Sequence, residues 1–212
     1  MIPVVCLVGK SGVGKTVVVE KLVVELKRLG YRVATIKHDV HGFEIDQPGK
    51  DSWRHAQAGA DCVVISSPQK LALIKKVDHD PSLGELALAI GPDYDIVVAE
   101  GFKGSQGLKI EVHRKGMGEL LCSPQELLAL ATDEALDMDV PQYSLDDGVG
   151  LAELLREKLL DRERDKATLF INLEPVPLKL SIQEFLMGGL LGMVSALKKV
   201  GDVARLDLFF RR

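Results

Sequence analysis

GKSGVGKT, Gly9 to Thr16, lies between an apolar run, Ile2 to Val8, and a stretch with the apolar spacing of a helix. It fits G-x-x-x-x-G-K-[ST] at every fixed position, in the strand-then-helix context such a loop requires. Each residue type has a physical reason. Gly9, Gly12 and Gly14 permit backbone conformations closed to other residues and leave room for oxygens to approach. The N–H groups from Gly9 through Lys10, Ser11, Gly12, Val13 and Gly14 to Lys15 can then form an anion nest at the positive end of the helix. Lys15 is expected between β- and γ-phosphates, and Thr16 is expected to ligate Mg²⁺, an ion that retains most of its waters.

Outward from this loop, helices and strands alternate. From Thr16 to Leu29, Val18, Val19, Leu22, Val23, Leu26 and Leu29 recur three and four apart, and Gly30 stands at the C-cap position. Strands are expected at Arg32–Ile36, Asp61–Ser66, Leu71–Val77, Asp95–Ala99, Lys109–His113, Leu127–Ala131 and, briefly, Pro141–Leu145. Helices are expected at Asp51–Ala58, at Pro81–Ile90 with Asp80 or Ser82 as cap, and from Asp147 to about Asp161. This order predicts an α/β P-loop NTPase domain over residues 1–162, a mostly parallel sheet flanked by helices. The charge block DRERDK (161–166) reads as a linker. Residues 167–212 read as a small α+β appendage. It would hold a hairpin around Glu174-Pro175, an amphipathic helix from Ile182 to Leu197 and a last strand, Ala204–Phe210.

The 212 residues are 46% apolar and 27% charged, enough for a sizeable core. A net charge of −4 offers no footprint for nucleic acid or an anionic membrane. Cys6, Cys62 and Cys122 form no C-x-x-C pair, and Cys6 and Cys62 sit in apolar strand-like runs, where buried thiols are expected. With no signal-peptide pattern or membrane-length apolar run, the expectation is a cytoplasmic protein without membrane partners.

Two further segments carry chemistry. The strand Asp95–Ala99 delivers Glu100 to the C-terminal edge of the sheet, where it can hold a Mg²⁺-bound water or orient an attacking one. Asp95, at the other end, is the poorer metal candidate. Between Ile36 and Ser52 runs IKHDVHGFEIDQPGKDS, too polar to build a core.

GKSGVGKT, IKHDVHGFEIDQPGKDSWRHAQAGA and AEGFKGSQGLKIEVHR, in this order, resemble the molybdopterin-guanine dinucleotide biosynthesis protein B family of P-loop GTP-binding proteins. The resemblance covers about residues 1–160. It implies a homodimeric GTPase of low intrinsic activity that uses GTP and Mg²⁺ and assists guanine nucleotide attachment to the molybdenum-pterin cofactor, or delivery of that cofactor. Molybdopterin is then a candidate bound substrate. Its partners would be the molybdopterin guanylyltransferase, which performs the nucleotidyl transfer, and other cofactor-maturation proteins.

The polar loop then reads as a switch or pterin-contacting segment. Asp39 and Asp46 are candidates for the outer metal shell, Asp39 also joining Lys15 and Glu100 in the catalytic set. Lys37, Lys50, Arg54 and His55 are candidates for phosphates, including the pterin's. His38 and His41 are candidates for the same loop contacts, with a transition-metal site as the alternative. The only Asn is Asn172, so no N-K-x-D guanine reader exists, and Asp133 is the best-placed substitute. Lys10 also permits a rival, a dimeric deviant ATPase with this lysine acting in trans. A third reading, a small-molecule kinase, wants an Arg-rich lid that the sequence lacks.

Overall fold

Val4–Val8 (β1) lies inside a six-stranded sheet in the computed structural model of the chain, which describes residues 2–161, 167–172, 174–197, 202–203 and 205–208. Lys15–Arg28 (α1) follows the glycine loop, then Val33–Lys37 (β2) and Asp51–Gln57 (α2). Cys62–Ser66 (β3), Leu71–Lys75 (β4), Leu83–Ile90 (α3), Ile96–Glu100 (β5), Leu108–His113 (β6), Leu127–Thr132 (β7), Gln142–Tyr143 (β8) and Gly148–Leu155 (α4) complete the larger part. The sheet order is β2-β5-β1-β6-β7-β8, and every neighbouring pair is parallel.

Strand alternation divides the core into two faces. Val5 and Leu7 of β1 join Val18, Leu22 and Leu26 of α1 and Leu151 and Leu155 of α4. Cys6 and Val8 point the other way, among Ala99, Cys122 and Leu83 of α3. The end of α1 is a Schellman closure: Tyr31 N donates to Leu26 O at 3.1 Å, Gly30 N to Lys27 O at 3.0 Å, and Gly30 has a φ of 93°. Ser82 caps α3 in a reciprocal box with Glu85.

Several expectations need correction. β3 and β4 pair antiparallel as a separate hairpin, outside the parallel sheet. Cys62 is therefore exposed, on the outer face of that hairpin, while Cys6 and Cys122 are buried. The last helix of the domain runs to Leu160 as expected, α-helical to Leu155 and then as a π-helical turn, Arg156–Leu160. Beyond it, Leu169–Ile171 (β9) and Glu174–Val176 (β10) form the expected hairpin, but Glu174 and Pro175 belong to its second strand and Asn172 turns the chain with a φ of 52°. Leu180–Ser195 (α5) buries Gln183 and leaves Phe185 and Met193 of its apolar stripe exposed. Of the expected strand Ala204–Phe210, residues 205–208 lie in no strand and 204, 209 and 210 are outside the described residues, as are 162–166 of the expected linker. Among the described residues no helix is long and apolar enough to cross a membrane.

Two polar side chains inside β6 anchor the excursion that follows it. Glu111, 1% exposed, accepts from Leu121 N at 2.7 Å and Cys122 N at 3.0 Å. Lys109 donates to Glu126 at 2.9 Å, and Glu126 also accepts from Ser123 N and Oγ.

These contacts, the Lys109 ammonium first, hold the Glu126 carboxyl down at about 2. A carboxyl depressed on folding contributes stability above its unfolded value of about 4.5 and loses it as pH falls toward about 2. Urea unfolding from pH 5 to pH 3 should therefore show a smaller loss of stability in Glu126→Gln than in the natural chain. A second prediction concerns Gly9. With φ at 145°, a Cβ there would lie 2.3 Å from Val112 O on β6. Gly9→Ala should cost roughly 2 kcal/mol or more in the same assay. Gly12→Ala, at φ 79° in open space, should cost about 1 kcal/mol.

Candidate functional site

Parallel pairing sends β1, β2 and β5 to the same edge of the sheet. Glu100 is in register with Leu7 on one side and Lys37 on the other, so the glycine loop leaves the sheet beside both side chains. The loop turns through Gly9, Gly12 and Gly14, all at positive φ, and Gly14 caps α1 at φ 97°. Val18 N donates to Gly14 O at 3.2 Å, starting the helix ladder and leaving the N–H groups before it at the helix tip.

Lys15 folds back across this loop, Nζ donating to Gly9 O at 2.9 Å and to Lys10 O at 2.8 Å. Partial burial is the main reason its ammonium pKa falls below the ordinary lysine value; Glu100 opposes the shift and Lys37 adds to it. Thr16 Oγ1 donates to Glu100 Oε2 at 3.1 Å. Glu100, only 7% exposed, takes the Lys37 ammonium on its other oxygen. Lys37, expected on a phosphate, is thus found neutralising a buried carboxylate.

The donor set of Thr16 and Glu100 fits Mg²⁺, which uses few protein oxygens and completes its shell with water and phosphate. The hydroxyl proton is directed at the carboxylate, which leaves hydroxyl lone pairs for an ion. Among the described residues no group of three or more His, Cys, Asp or Glu side chains is arranged to hold a metal by itself.

The base of the polar loop is fixed, and its remainder is open. His38 Nε2 lies 3.0 Å from both oxygens of Asp80, and its ring centroid is 4.7 Å from that of Phe102. Phe102 adopts a φ of 59°, and a Cβ on Gly101 would approach His38 Cβ to 3.1 Å. Strain at Phe102 therefore accompanies a tight junction between the ends of β2 and β5. Further along, Asp39 accepts from His41 N at 3.0 Å, and Asp46 accepts from Gln47 N at 2.8 Å and Ser52 Oγ at 3.0 Å. Both carboxylates build local turns, and neither bonds to Thr16 or Glu100. His41, Lys50 and His55 are exposed, as is Arg54, which lies 3.8 Å from Asp51.

On the opposite flank, Arg114 follows β6 and its Nε donates to Val13 O at 3.0 Å. Asp133, at the end of β7, accepts from Lys115 N at 2.7 Å and places Oδ2 3.8 Å from Arg114. Lys10 reaches the same turn, donating to Met117 O at 2.9 Å. Buried His113 pairs with Glu134 at 2.7 Å just beneath. The sequence reading missed Arg114 and Asp80 as site residues. Arg114 directly follows the strand that neighbours the loop strand, a signal present in the sequence but meaningful only once the strand order is known.

Comparison with known proteins shows the family. Residues 4–133 match the model of the family described as molybdopterin guanine dinucleotide synthesis protein B. A molybdopterin-guanine dinucleotide biosynthesis adapter protein of Escherichia coli is 35% identical over 163 residues, spanning 74% of this chain and 93% of that protein. One from Haemophilus influenzae is 38% identical over 140 residues, 65% of this chain and 79% of the relative. A crystal structure of molybdopterin-guanine biosynthesis protein B (MobB) superposes with a TM-score of 0.55 at 30% identity, covering 75% of this chain and 99% of the other. Bacillus subtilis MobB, at 24% identity and a TM-score of 0.58 over 74% and 98% of the two chains, shares the fold. The fold is thus of the P-loop NTPase type, and the chain belongs to the molybdopterin guanine dinucleotide synthesis protein B family, serving as an adapter in molybdopterin-guanine dinucleotide biosynthesis.

Proposed function

We propose that the adapter binds GTP with Mg²⁺ at the loop Gly9–Thr16 and hydrolyses it slowly while assisting cofactor maturation. The observation that carries this reading is the junction of loop, Lys15, Thr16 and Glu100 at the positive tip of α1. Main-chain amides and the Lys15 ammonium would take the phosphates, and Thr16, with Glu100 behind it, would hold the ion. Bound Mg²⁺ would draw charge from the phosphate oxygens. Glu100 is the group that holds or orients water. Among the described residues the side-chain partners of Glu100 are Thr16 and Lys37, with neither a glutamine nor an arginine bonded to it, which fits slow turnover.

The exposed side chains of His41, Lys50, Arg54 and His55 suit a polyanionic partner such as the phosphorylated pterin, and Asp39 lies in the same loop. The proposed protein partners are the guanylyltransferase and other maturation proteins, in the cytoplasm, where three unpaired cysteines persist. In the rival ATPase reading, Lys10 would have to exchange its bond to Met117 O for a contact with a partner copy.

The proposal includes a homodimer, with the β3–β4 hairpin as the contact between copies. A two-stranded sheet is marginal by itself. One of its faces turns Val63, 7% exposed, inward, whereas the other presents Val64, Leu71 and Leu73, each more than half exposed. An apolar surface of this kind on both strands calls for cover.

Titration calorimetry with Mg²⁺ should detect GTP binding, preferred over ATP, that Lys15→Ala abolishes without unfolding the protein. Clear preference for ATP, or no heat with either nucleotide, would refute the GTP reading. In sedimentation velocity the natural chain should run at about twice its 23.1 kDa mass, and Leu71→Glu/Leu73→Glu should run as a monomer. A double variant that stays dimeric would move the contact elsewhere.

A further inference from the structure

We infer that Arg114 is the platform on which the purine ring of the bound nucleotide lies, and that Asp133 positions it. This rests on the nucleotide-binding reading above and adds where the nucleoside goes.

The first argument is topological. Thr16 meets Glu100, which belongs to β5, on one side of β1. The metal and the terminal phosphate belong on that side. β6 pairs with β1 on the opposite side, and β7 lies beyond it. A triphosphate that starts at Glu100 and crosses the loop therefore sends its nucleoside toward the ends of β6 and β7. Arg114 and Asp133 are the residues that follow those strands.

The second argument is chemical. A guanidinium is planar and weakly hydrated, and it stacks on aromatic faces. In Arg114 the group is already held in place. Its Nε donates to Val13 O at 3.0 Å, Nη1 lies 3.8 Å from Asp133 Oδ2, and Nη2 would be 3.7 Å from a Cβ at Gly14. Asp133 is itself anchored by Lys115 N, and the turn beyond is closed by Met117 N donating to Arg114 O at 3.0 Å and by Lys10 donating to Met117 O. Half of the Arg114 side chain remains exposed. The result is a flat cation, immobilised beside the phosphate loop with surface to spare, and little rotamer entropy is left to lose on stacking.

Asp133 was the sequence candidate for reading the base edge. One of its oxygens accepts from Lys115 N and the other faces Arg114, so its role here is to orient the guanidinium.

The test is calorimetric titration, with Mg²⁺, of GTP and of inorganic tripolyphosphate, which has no base. Arg114→Ala should weaken GTP about five- to tenfold and leave tripolyphosphate within about twofold. Arg114→Lys keeps a donor for Val13 O without the plane, and should show the same split. Asp133→Asn should weaken GTP less than Arg114→Ala does. Added to Arg114→Ala, it should have no further effect, as expected if it acts through the arginine. Unchanged GTP affinity in both arginine variants overturns the inference. So does an equal loss of both ligands in Arg114→Lys, which would make the residue a phosphate or loop-shape contact. An additive Asp133→Asn effect overturns the positioning role. A natural chain that takes up neither ligand overturns the nucleotide reading itself, and this inference with it.

Discussion

Parallel pairing of β1 with β5 and β6 is the constraint on which the rest of this structure depends. Parallel strands point their C-terminal ends to one edge, so whatever follows each strand converges there without any special arrangement of loops. The glycine loop follows β1, Glu100 ends β5, Lys37 ends β2 and Arg114 follows β6. Four chain segments far apart in sequence thereby become neighbours. The close approach of Gly9 to Val112 O is part of the same arrangement, since the loop leaves β1 hard against β6.

The electrostatics at this edge are balanced by few groups. Glu100 is nearly buried, and a buried carboxylate is costly unless paired. Thr16 and Lys37 supply that pairing. Lys15 is partly desolvated but satisfied by two loop carbonyls. Each charge is thus satisfied by hydrogen bonds within the edge itself. On the other flank, Arg114 and Asp133 lie farther apart and more exposed, an arrangement that braces the loop without closing it.

Two apolar surfaces stand apart from this core. The outer face of the β3–β4 hairpin carries Val64, Leu71 and Leu73, and α5 carries Phe185 and Met193, all exposed. In α5 the one buried residue is Gln183, whose amide donates to Leu178 O and whose oxygen accepts from Ala167 N, so the helix is tied to its hairpin through hydrogen bonds.

Much of the fold was legible in the residues themselves. The glycine loop, the periodicity of α1, the apolar run of β1 and the placement of Glu100 at a strand end depend on neighbours within a few positions, where stereochemistry and spacing suffice. Other features depend on which strand lies beside which, and local pattern is blind to that. Cys62 sits in a run as apolar as the one around Cys6, yet one thiol is exposed and the other buried, because β3 leaves the sheet for a hairpin. Lys37 and Asp80 became partners of Glu100 and His38 only when β2, β5 and the segment before α3 met in space. Arg114 acquired its place beside the loop because β6 neighbours β1. Sequence alone determined the glycine loop and the elements that carry it. Tertiary structure decided which charges face one another and which apolar faces stay open, because burial and charge pairing are set by contacts between residues distant along the chain.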